Sequence, residues 1–167
     1  MVVVLIIGIV YGLVLGKFNP KQYVQLATFK TLKSAIIAKW KEGDRIDLYL
    51  YDNCKKSALF KNGEYQEKMT INIKPKMFSD ITVYKTDPFE HERKIDFVPI
   101  VIDNKLQPVC FQFTLYPNGS SSNYIVKQKE QYFVFHPYFE DVNETETLED
   151  ALEDFTHQKQ KKISSYE

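Results

Sequence analysis

Three histidines, two cysteines and a run of acids are the residues of this chain best suited to chemistry. His91, His136 and His157 lie far apart with no i, i+4 pair, so their spacing is not that of a zinc site. His91 sits between Glu90 and Glu92 in "FEHER", an alternation that reads as a solvated loop. Cys54 and Cys110 have no metal-ligand spacing. They are either two unlinked thiols or, if the body lies outside the cytoplasm, one disulfide closing a long loop. In the chain-entropy account such a loop is worth about 4 kcal/mol. The acids from Glu140 to Asp154 lack the alternating Asp ladder and glycine of an EF-hand loop, and read as a solvated helix N-terminus. No nucleophile elbow, phosphate loop or dinucleotide fingerprint occurs. The sequence therefore predicts no catalytic residue, no cofactor and no metal. Asn118-Gly119-Ser120 and Asn143-Glu144-Thr145 match the glycosylation triplet, a pattern common by chance.

The elements that must carry these residues are set by composition and period. The chain has 167 residues, room for one domain and an appendage. Its 22 Lys and Arg balance 22 Asp and Glu, which argues against a nucleic-acid partner. Twelve Phe and 11 Tyr, with many Ile and Val, favour a β-rich body with a real core.

The N-terminus is different. Val2, Val3, Val4, Leu5, Ile6, Ile7, Gly8, Ile9, Val10, Gly12, Leu13, Val14 and Leu15 form a stretch without charge. At ~1.5 Å per residue it covers roughly 22 Å as a helix, short of a standard span. A secretory signal would need a basic start and a small-residue cleavage site, and neither is present. Gly8, Gly12 and Gly16 weaken a helix in water, whereas lipid enforces backbone hydrogen bonding and small residues let helices approach. The segment reads as a membrane anchor. The alternatives are an uncleaved signal anchor and a buried first helix of a soluble body; the anchor itself can also be one whose first residues lie upstream of Met1.

Asn19-Pro20 suits a helix start, and Pro20 would kink a continuous helix. Tyr23, Leu26, Phe29, Leu32, Ile36 and Trp40 then recur at helical period, flanked by Ala27, Ala35 and Ile37. Lys21, Lys30, Lys33, Lys39 and Lys41 lie mostly off that stripe. Gly43 in "KEGD" ends it. One helix, or two in line, is expected from about Val2 to Glu42, roughly 60 Å long.

From Ile46 the period becomes two. Ile46, Leu48 and Leu50 share a face, Asn62-Gly63 signals a hairpin, and Pro99 splits "IDFVPIVID". Val109–Tyr116, Asn123–Lys127 and Gln131–His136 read as strands, with Pro117-Asn118-Gly119 as a turn. In the tail, Thr147 to Asp150 approximates a capping box, and Leu148, Ala151, Leu152 and Phe155 make a stripe. A short helix is expected over Leu148 to Gln160. It docks on the sheet or offers its stripe to a partner.

The run Met1-Val2-Val3-Val4-Leu5-Ile6-Ile7-Gly8-Ile9 resembles the N-terminal helix of type IV pilins and type II secretion pseudopilins. The upstream processing glycine, the phenylalanine that begins the mature chain and the glutamate of that family have no counterpart here. Met1 is accordingly read as internal to a longer open reading frame. Phe113, Pro117, Gly119 and Ser120 resemble the closing β-region of the H-type minor pseudopilins and their type IV pilus counterparts. The likeness covers about residues 1–138. It implies an α+β, pilin-like fold, a long N-terminal hydrophobic helix packed on an antiparallel β-sheet head, with a short C-terminal helix. Residues 1–16 would be the membrane-embedded half of that helix. Residues 17–142 would be the head, with the amphipathic helix at 20–42, and 143–167 an acidic helix and tail. Tyr23, Leu26, Phe29, Leu32, Ile36 and Trp40 would join helix to head. The implied role is a minor pseudopilin in the bacterial inner membrane, head in the periplasm, that initiates or tips a filament and so serves protein secretion. Its partners would be other pseudopilins and the inner-membrane assembly platform. The other class of function is a membrane-anchored periplasmic binding module that builds no filament.

Overall fold

The computed structural model describes residues 27–69, 71–73, 77–86, 91–138 and 141–163. Two antiparallel sheets face one another around an aromatic core. The first has the strand order β3-β2-β1-β8, with β1 Ile46–Tyr51, β2 Lys56–Lys61, β3 Glu64–Tyr65 and β8 Val109–Leu115. The second has the order β11-β10-β9-β4-β5, with β4 Ile81–Thr86, β5 Glu92–Lys94, β9 Tyr124–Gln128, β10 Gln131–Phe135 and β11 Asn143–Thr145. A separate two-stranded hairpin joins β6 Ile100–Ile102 to β7 Lys105–Gln107. Two helices complete the fold, α1 Phe29–Ile37 and α2 Leu148–Ile163.

Period-two alternation explains the layers. Leu48 and Leu50 of β1, Phe111 and Phe113 of β8, Tyr124 and Val126 of β9, and Phe133 and Phe135 of β10 all point into one core. The intervening Ile125 and Val134 point the other way, where Ala151 and Phe155 of α2 cover them. The tail stripe therefore lies on the outer face of the second sheet. Thr147 caps α2 by accepting the Asp150 N–H at 3.1 Å. At the Asn62-Gly63 turn both residues take positive φ, 53° and 86°, the geometry of a two-residue hairpin loop.

α1 lies within the core. Phe29 packs its ring within 6.3 Å of four others, Phe78, Phe111, Phe133 and Phe135. Leu32 and Ile36 are fully buried beside it. Burying these three side chains is worth about 1.5–3 kcal/mol each. Lys33, expected off the apolar stripe, is buried as well, and its Nζ donates to the His136 carbonyl at 2.6 Å.

The expected fold class is corrected here. The described molecule is mostly β-sheet with two short helices, and no long apolar N-terminal helix occurs among the described residues. Among the described residues, the helix drawn over 20–42 is the nine-residue α1. The reason is local. Thr28 is extended, at φ −113° and ψ 171°, and its hydroxyl accepts the Thr31 N–H while the Thr31 hydroxyl accepts the Thr28 N–H. That reciprocal cap starts a helix, and it cannot lie inside one. Just before it, Ala27 donates its N–H to the Asn72 carbonyl at 2.8 Å and bridges Ile73 in parallel. A donor used in that way is not available to a helical carbonyl four residues back. At the other end Ala38 caps α1, and the chain turns through Gly43 at φ 86°. Apolar period alone does not register a Thr-x-x-Thr start inside the stripe. The expected residues Val2 to Leu15, with Tyr23 and Leu26, lie outside the described residues. No helix among the described residues is long and apolar enough to cross a membrane.

Candidate docking surface

The residues assigned to helix-to-head packing are placed differently along α1. Phe29, Leu32 and Ile36 are core, and Trp40 packs at its margin with its indole N–H donating to the Asp44 carbonyl at 2.7 Å. Cys54 and Cys110, left open between thiols and a disulfide, are joined, with Cα atoms 5.8 Å apart. Cys110 falls at a bulge where Leu50 pairs with Phe111 and Tyr51 with Val109, so it is the extra residue of β8. Cys54 lies in the β1–β2 connection, where Asp52, Asn53 and Cys54 all adopt left-handed backbone, at φ 54°, 52° and 59°. Asp and Asn tolerate that conformation, and the disulfide holds the third.

The outer face of the first sheet carries the most distinctive surface. β1 alternates, so Asp47, Tyr49 and Tyr51 leave the core and point to this face. The β6–β7 hairpin folds over its far part, where Ile102 packs on Tyr51 and Ala58, and Ile100 beside Phe60. Asp103 and Asn104 make the tight turn at φ 51° and 57°. Between hairpin and sheet lies a groove of about 580 Å³ lined by Tyr49, Phe60, Ile100 and Val101 on its apolar side and Arg45, Asp47 and Asn62 on its polar side. Tyr49 and Phe60 meet edge to face at 5.4 Å, and Tyr65 adds a third ring at 5.5 Å from Phe60. The hairpin also exposes apolar side chains to solvent: Val101 is 63 % exposed, Leu106 70 % and the preceding Val98 79 %.

The groove's polar end is a closed network. Asp47 is buried, accepts two bonds from Arg45 at 2.9 and 3.0 Å, and accepts the Thr114 hydroxyl at 2.6 Å. This pairing with Asp47 holds the Arg45 guanidinium above its usual range. Burial, and then the Asp47 charge, push the Tyr49 hydroxyl up. Asp44 beside it is held below the usual carboxylate range by Lys61, 2.7 Å away. Arg45, Asp47 and Thr114 thus hold one another in place at the groove's polar end.

His136 is the residue whose setting the sequence did not signal. It is buried, with Nε2 3.1 Å from Asp154 of α2, and Asn143 bonds that same carboxylate at 3.0 Å. The Ser121 hydroxyl donates to the His136 carbonyl. The group ties α2, β11 and the end of β10 together. Asn118 of the other triplet is likewise in use, accepting the Ser120 N–H and hydroxyl in the turn after β8. Among the described residues no three His, Cys, Asp or Glu converge as metal ligands.

No protein-family profile, curated protein or solved structure matches this chain.

Proposed function

We propose that this chain is a structural subunit of a type II secretion or type IV pilus-type assembly at the bacterial inner membrane, of minor pseudopilin kind. In this reading Val2 to Leu15 lie in the bilayer beside the like segments of sister subunits. The β head stands in the periplasm, and the subunit starts or tips a short filament that serves protein secretion. It works by association and does no catalysis. The reading does not need a continuous helix from 2 to 42; α1 has its own N-cap at Thr28.

The observation that carries it is the position of α1. Only residues 16–26 separate the apolar segment from Ala27, and directly after Ala27 the chain enters the centre of the core at Phe29. A head whose core contains α1 is then tied to that anchor by at most 11 residues, 16–26. The Cys54–Cys110 disulfide adds that the head suits an oxidising compartment. A second reading, an anchored binding module that forms no filament, is favoured by the Tyr49–Phe60 groove and the exposed hairpin beside it. Val14→Cys in the full chain separates the two. Crosslinked ladders with known pseudopilins in native membranes support assembly, and monomer alone, with the secretion machinery present, supports the binding module.

A further inference from the structure

The groove between the β6–β7 hairpin and the first sheet has a floor made of side chains. β1 is paired on both sides, with β2 and β8, and β2 carries β3 beside Phe60, so the floor has no strand edge to lend to a visiting chain. Whatever binds there is held by rings, by the apolar hairpin wall and by fixed polar groups. At about 580 Å³ the groove falls within the ~300–1,000 Å³ of ordinary small-molecule sites.

The register sets rings around a polar centre. Asp47 lies opposite Phe60 on one side and Thr114 on the other, so these side chains share the outer face with Arg45 and Tyr49. Tyr49 and Phe60 are half-buried and line the groove, and exposed Tyr65 continues the ring surface beyond Phe60. Tyr116, also exposed, backs the Arg45 guanidinium, 5.8 Å from its ring centre. Arg45 spends its Nε proton and one Nη2 proton on Asp47. A guanidinium has five N–H donors, and the others of this half-exposed side chain have no partner among the described residues. Asn62 is held in place beside it, its Oδ1 accepting the Arg45 backbone N–H at 2.8 Å.

The charges at this end cancel in pairs, Arg45 with Asp47 and Lys61 with Asp44. An anion that reaches the Arg45 donors also meets Asp47, and a cation drawn to Asp47 meets Arg45, so a charged ligand gains little here. The ligand that suits rings, an aliphatic wall and pre-set neutral pairs is uncharged, has an apolar ring face and carries hydroxyls at its rim. A pyranose has both features, C–H groups on a face and hydroxyls around it. We propose that the groove binds a short uncharged oligosaccharide, one sugar ring lying against Tyr49 and Phe60 with its hydroxyls on the Arg45 donors and Asn62. Ile100 and Val101 close the opposite side, and the next sugar extends toward Tyr65. The bonds to Asp47 hold Arg45 before the sugar arrives, which lowers the ordering cost of binding. This names the ligand class of the binding-module reading, on whose groove it rests, and it needs no filament.

The test is a titration of the full chain, in a detergent without a sugar head group, with chitotetraose, cellotetraose and maltotetraose. Each is added to about 10 mM, enough to fill a site of millimolar affinity. At least one is expected to release heat in calorimetry and to shift the methyl signals of Ile100 and Val101. Tyr49→Leu removes the ring and hydroxyl, and Arg45→Lys keeps the charge but removes the planar donors; each is expected to weaken binding by about tenfold. Leu106→Ser, on the exposed hairpin outside the groove, is expected to leave it unchanged. An intact Cys54–Cys110 bond and an unchanged urea midpoint certify the fold of each variant. No methyl shift with any of the three sugars overturns the proposal. So does a response no larger than that to a neutral Ser-Val peptide, or a loss in Leu106→Ser equal to that in Tyr49→Leu. If all three sugars fail while Val14→Cys gives monomer alone, the binding-module reading stands and the ligand class is wrong. If a sugar binds while Val14→Cys gives ladders, the groove site holds on a filament subunit.

Discussion

Phe29 shows how much rests on single side chains. Its ring touches residues of both sheets and of the 71–78 connection, so it joins three parts of the core at once. Phe29→Ala leaves a cavity that neither sheet can close alone, and is expected to cost about 3–5 kcal/mol, read from the urea midpoint with an unchanged slope. A loss below 1 kcal/mol would mean that the head does not depend on α1. The tyrosines give a pH dependence. Burial pushes Tyr49, Tyr51 and Tyr124 above their ordinary value of 10.0. Above pH 10 the unfolded chain loses these protons first, so the folded state binds more of them and stability falls as pH rises. The contribution is whole below about pH 10 and is lost as pH climbs through the folded values. Phenolate absorbance is expected to show these three of 11 tyrosines ionising late, together with alkaline unfolding. Ordinary titration of all 11 with the fold intact would contradict the burial assigned to them.

At the scale of elements, the disulfide and the C-terminal helix make separate predictions. Cys54 and Cys110 stand 56 residues apart, so their bond closes a loop worth about 4 kcal/mol in the chain-entropy account. Cys54→Ala with Cys110→Ala is expected to lower stability by up to that amount, measured by thermal and urea unfolding, and to free the left-handed Asp52–Cys54 turn for proteolysis. α2 is held by Phe155 and Ala151 on the sheet and by Asp154 against His136. Phe155→Asp is expected to release α2 to protease while the two-sheet core stays folded, visible as a truncated, cooperatively unfolding product. Loss of the whole fold would show that α2 is part of the core and not a cover.

Much of this layer was legible in the sequence. The alternation of β1, β8, β9 and β10, the Asn62-Gly63 turn and the tail stripe of α2 are local patterns. The start of α1 was not, because Thr28 and Thr31 interrupt no apolar period and Ala27 is claimed by Asn72, a residue far along the chain. β7 and β11 are three residues long and too short to carry a period. The Asp103-Asn104 turn was missed because it lacks the glycine that marks such hairpins.

For the whole molecule, function is the least legible scale. The groove near Tyr49, between Arg45 and Val101, and the His136 cluster, from Lys33 to Asp154, bring together residues far apart in the chain, and no spacing signals such meetings. The N-terminal apolar run and the head are the reverse case: one is contiguous, the other a set of alternations, and each can be read singly. The proposed function joins them, with the head outside the cytoplasm and the apolar run in the membrane. The direct measurement is protease added to intact spheroplasts expressing the full chain, with thiols trapped beforehand. The account predicts that the chain sediments with membranes, that the head is digested from outside, and that Cys54 and Cys110 are found oxidised. A head protected until the membrane is broken, with both thiols reduced, would contradict it.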